Sequence, residues 1–66
     1  MPTLPVKIGD MVRINRIIDY IGNRSFIGKI GKIIDIELDN VKPVFVVLVD
    51  DIGVDGFYLC ELVPSN

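Results

Sequence analysis

Sixty-six residues with a formal net charge of −2, no histidine and a single cysteine describe one small domain. They exclude both an internal disulfide and a Cys/His zinc site as its staple. Half the residues are hydrophobic, with eleven Ile, nine Val and five Leu, so aliphatic packing must hold the chain together. A domain of this size cannot hide every such side chain, which predicts that some of them face a protein partner or a second copy.

Residues 1–5 carry Pro2 and Pro5, which block regular pairing, and read as a flexible arm. The opening residues lack a basic segment followed by an apolar run, so no secretory leader is expected. No run of eighteen apolar residues offers a membrane span. The expected setting is the cytoplasm or an equivalent reducing compartment such as the plastid stroma. The domain proper is predicted over residues 6–64, with 65–66 as a tail.

Gly9-Asp10 signals a turn, and Met11-Val12-Arg13-Ile14-Asn15-Arg16 then alternates with Val12 and Ile14 inward, the first strand. Residues 17–27 keep no period. They read as a long loop over one end of the core, pinned by Tyr20 and Phe26. The stretch 28–49 reads as a hairpin. Gly28 and Gly31 punctuate its start, Ile34, Ile36 and Leu38 alternate with Asp35 and Glu37, and Asp39-Asn40 supplies the turn. Pro43 fits the head of the next strand, and Val44-Phe45-Val46-Val47-Leu48-Val49 is apolar on both faces. Residues 50–56 form a connection, 57–59 a fourth strand, and Cys60-Glu61-Leu62 a single 3₁₀ turn. Val63 pairs briefly as the fifth strand before Pro64.

Five short strands, a long first loop and a helical turn before the last strand resemble an SH3-like barrel, an all-β class. Gly9-Asp10-Met11-Val12-Arg13-Ile14 resembles the G-D-x-V-R-V opening strand of many such barrels. The run Phe26-Ile27-Gly28-Lys29-Ile30-Gly31-Lys32-Ile33-Ile34-Asp35-Ile36 looks like the G-x-x-G-x-V-x-x-I core of KOW-type modules in ribosomal proteins and NusG-type transcription factors. Glu61-Leu62-Val63 is similar to the close of the photosystem I accessory subunit PsaE and of the variable subunit of ferredoxin–thioredoxin reductase. These resemblances imply a binding or accessory role and carry no catalytic residues with them.

The chemistry-bearing constellations are few. Gly28-x-x-Gly31-Lys32 lacks the first glycine and the Ser/Thr of a phosphate loop, with Phe26 and Ile33 at those places. It reads as strand punctuation. Asp50, Asp51 and Asp55 lack the calcium-loop spacing and read as turn chemistry. Cys60 sits among apolar residues and reads as a small buried hydrophobe. Without histidine or an activated thiol the chain is expected not to be an enzyme, and no metal or cofactor site is expected.

Charge divides the chain. Residues 1–32 carry six bases and two acids, and residues 33–66 carry one base and seven acids. Arg13, Arg16, Arg24, Lys29 and Lys32, interleaved with the aromatic Tyr20, form the candidate nucleic-acid surface. The acidic second half and a pI near 4.7 oppose a polyanion, so a protein contact or self-association is the first expectation and nucleic acid the alternative. If Val44, Val46 and Leu48 fill the core, then Phe45, Val47 and Val49 face outward, because successive strand side chains alternate. With Ile18 and Ile21 of the long loop they form the expected interface.

Overall fold

The computed structural model describes residues 6–18, 24–38 and 41–65. The predicted arm over 1–5, the turn at Asp39-Asn40, and Tyr20 and Ile21 lie outside them. Asp10 closes the first turn, its carboxylate accepting the Lys7 amide at 3.0 Å and the Lys7 ammonium at 3.0 Å. The chain then enters β1 (Met11–Ile14), two residues shorter than predicted, with Val12 and Ile14 fully buried and Met11 and Arg13 outward. After the long connection a 3₁₀ turn (Arg24–Phe26) sinks Phe26 into the core, edge-on against Phe57 with ring centroids 5.4 Å apart. Gly28, at φ +85°, follows and donates its amide to the Ile14 carbonyl at 2.7 Å, which starts the return beside β1.

β2 (Ile30–Glu37) lies antiparallel to β1, with Val12 opposite Gly31. A side chain on Gly31 would collide with the Leu48 carbonyl oxygen at 2.6 Å, so glycine is what lets β2 cross β3 this closely. Ile33 opposes Val47, yet Asp35 opposes Val46, so Ile34 is the extra residue of a bulge. The predicted alternation of Ile34, Ile36 and Leu38 is corrected accordingly. Ile33 and Ile36 take the inner positions, whereas Ile34 and Leu38 are exposed.

β3 (Val44–Val49) pairs with β2 and with β4 (Gly53–Tyr58) in one antiparallel sheet. Its faces are the reverse of the expected ones. Phe45 and Val47 have no exposed surface and Val49 is 2% exposed, whereas Val44, Val46 and Leu48 are half-buried on the outside. Cross-strand partners explain the choice. Phe45 lies opposite Ile36 and Phe57, and Val47 opposite Ile33, so the large side chains meet on one side. Phe45, Val47 and Val49 are therefore core rather than interface. The β3–β4 connection is only residues 50–52, closed by the Ile52 amide on the Val49 carbonyl at 3.0 Å. Gly53 and Gly56, expected in the loop, are strand residues.

A second 3₁₀ turn (Leu59–Glu61) leads into β5 (Leu62–Pro64), which pairs with β1. The sheet order is β4-β3-β2-β1-β5, and hydrogen bonds do not close it into a barrel. Val6, Val12, Ile14, Phe26, Ile33, Phe45, Val47, Val49, Phe57 and Leu62 make one core, with Ile17, Ile36 and Ile52 packed at its margin. Cys60, expected inside, is exposed, because within the short turn it is Glu61 that points inward. Among the described residues no helix is long and apolar enough to cross a membrane.

Candidate interaction face

The strand register arranges the outer face of the sheet in rows across the strands. Arg13 on β1 lies opposite Ile30 on β2. The next row is Met11, Lys32, Leu48 and Val54, followed by Asp35, Val46 and Gly56, then Glu37, Val44 and Tyr58. Val54 and Ile30 are more than half exposed, at 53% and 52%. Met11, Ile30, Gly31, Lys32, Leu48 and Asp50 line a depression of about 390 Å³. A second depression of about 340 Å³ lies at the far end of β4, between Lys42, Pro43, Tyr58, Leu59 and Cys60. The face is thus an aliphatic strip with Arg13 and Lys32 towards one end and Asp35 and Glu37 towards the other, Asp50 lying beside Lys32.

The two edges of the sheet are partly shielded. On β4 the Gly56 amide is taken by the Asp55 carboxylate at 2.8 Å and the Tyr58 amide by Glu61 Oε1 at 2.7 Å. On β5 the Leu62 amide donates to the Leu59 carbonyl, and Pro64 has no amide to offer. Edge strands whose alternate donors are already satisfied are poor templates for another strand. The accessible apolar surface of the sheet is its face.

Among the described residues Glu61, 4% exposed, is the buried acid. Its Oε2 accepts the Ile18 amide at 2.8 Å, and its backbone carbonyl accepts the Asn15 amide at 2.8 Å. One residue therefore ties the end of β4 to the segment that leaves β1. The sequence offered only a charged residue inside a turn, and nothing in composition marks it as buried.

The expected nucleic-acid residues do not gather in one place. Arg13 and Lys32 are diagonal neighbours on the outer face. Arg16 turns back to donate from Nε to the Cys60 carbonyl at 3.3 Å, Lys29 pairs with Asp51 at 3.2 Å, and Arg24 lies on the first 3₁₀ turn. Ile18, 51% exposed, follows β1 beside Glu61. Asp50, Asp51 and Asp55 serve the turn and the β4 edge, and among the described residues no three His, Cys, Asp or Glu side chains converge to hold a metal ion. No protein-family model matches the chain, and no curated protein or solved structure matches it significantly.

Proposed function

We propose that the chain is an SH3-like module that works without catalysis, as an accessory or regulatory subunit whose contact surface is the outer face of β2, β3 and β4. The SH3-like reading draws on the strand order with β5 beside β1, the long β1–β2 connection and the 3₁₀ turn before β5. The observation that carries the functional reading is the strip of exposed Ile30 and Val54 with half-buried Leu48 and Val46, on a sheet whose edges are partly shielded. Contiguous exposed aliphatic surface of this kind marks interaction sites.

Cross-linking in native extract tests this reading, comparing the wild type with Val54→Lys. Cross-links that form to the wild type and disappear in a folded Val54→Lys protein support the face. Identical cross-links to both proteins would move the contact elsewhere. Nucleic acid recovered in place of protein, with an affinity that falls steeply with salt, would favour the cations instead.

A further inference from the structure

We infer that the occupant of this face is a second copy of the same chain, related by a two-fold axis that lies in the contact plane and runs across the strands. The inference rests on the contact surface proposed above and adds the partner. A two-fold contact requires a patch that complements itself under the rotation. Along the strand direction the face runs Arg13, then Lys32 with Leu48, then Asp35 with Val46, then Glu37. Turning a second copy about an axis between the two middle rows sets each Lys32 against the other copy's Asp35 and brings each Glu37 over the other copy's Ile30, one strand from Arg13. Leu48 then meets Val46 at the centre. The Lys32–Asp35 and Leu48–Val46 pairings each occur twice about the axis. An axis running along β2 would set Lys32 on Lys32 and Asp35 on Asp35 and is opposed by repulsion. Among the described residues Arg13, Lys32 and Glu37 make no ion pair within their own chain, so all three are available to a partner.

Sedimentation of the full chain from about 10 μM to about 1 mM tests the inference. The wild type is expected to dimerise reversibly, more weakly as salt rises from about 50 mM to about 500 mM. Lys32→Glu and Asp35→Lys, both at exposed positions, should each weaken the dimer about tenfold. An equimolar mixture of the two variants should recover part of the lost association, because each supplies the charge the other has reversed. A wild type that stays monomeric throughout, a dimer indifferent to both reversals, or a mixture without recovery would overturn the second copy. A monomeric wild type whose extract cross-links are nonetheless lost in Val54→Lys would overturn the second copy alone and leave the contact surface standing.

Discussion

The two faces of β3 are nearly identical in hydrophobicity and opposite in role. Phe45, Val47 and Val49 are sealed inside, whereas Val44, Val46 and Leu48 stay partly in solvent. Hydrophobicity therefore does not assign a side in this strand. The partners across the sheet do, because Phe45 meets Phe57 and Ile36 while Val46 meets Asp35 and Gly56. Val47 and Val49 face Asp55 and Gly53 and are buried all the same, so it is the large Phe45, Phe57, Ile36 and Ile33 side chains that fix the inner parity.

The largest effect should come from the inner face. Phe45→Ala opens a cavity beside Phe57 and Ile36 and should cost about 3–5 kcal/mol, a large part of the stability of a domain this small. Val47→Lys at the neighbouring inner position should leave the chain unfolded, since a lysine there has no route to water. Urea unfolding followed by circular dichroism measures both. A cooperative Val47→Lys transition near that of the wild type would break the assignment of faces.

The number of strands, the long first connection and the 3₁₀ turn before the last strand were legible because turn residues and short apolar runs mark them. The inner face of β3 was not, since six consecutive apolar residues satisfy either parity. Nor was the bulge at Ile34. Ile33-Ile34-Asp35-Ile36 supports two period-two readings, and only pairing with Val46 and Val47 selects one. Cys60 and Glu61 exchange the places their polarity predicts, because a three-residue turn fixes which side chain points inward. The same parity decides which side of β3 is exposed: Phe45, Val47 and Val49, expected to face outward, are turned inward.

Glu61→Ala comes next in size and sharpens the account of the inner side. It strands the Tyr58 and Ile18 amides that the carboxylate accepts at 2.7 and 2.8 Å. The loss should be about 2 kcal/mol, the scale for removing a charged acceptor of buried donors. Glu61→Gln should lie between, because an amide replaces one acceptor oxygen with a donor. Equal stability of Glu61→Ala and wild type by the same urea titration would contradict the tie between β4 and the segment after β1.

On the outer side Val54→Lys should change folding stability by no more than about 0.5 kcal/mol, as surface substitutions usually do. A thermal midpoint well below that of the wild type would place Val54 in the core. The smallest effect concerns pH. The Lys29 side chain, hydrogen-bonded to Asp51, holds that carboxyl below its ordinary value, and Lys7 does the same to Asp10. A carboxyl lowered in the folded state adds stability above its unfolded value, and the gain is lost as pH falls through the folded value. Lys29→Ala should therefore be slightly less stable than wild type near neutrality and match it in acid. Both acids are exposed, so the difference should be small. A gap between the two proteins that persists or widens in acid would assign Lys29 another role.

The most direct test of the two-faced strand is thiol labelling at adjacent positions, Val46→Cys and Val47→Cys, each in a Cys60→Ser background and at low protein concentration. The cysteine at 46 should react with a water-soluble reagent in the native protein, and the one at 47 only as fast as the protein unfolds. Rapid native labelling at 47 with protection at 46 would contradict the account.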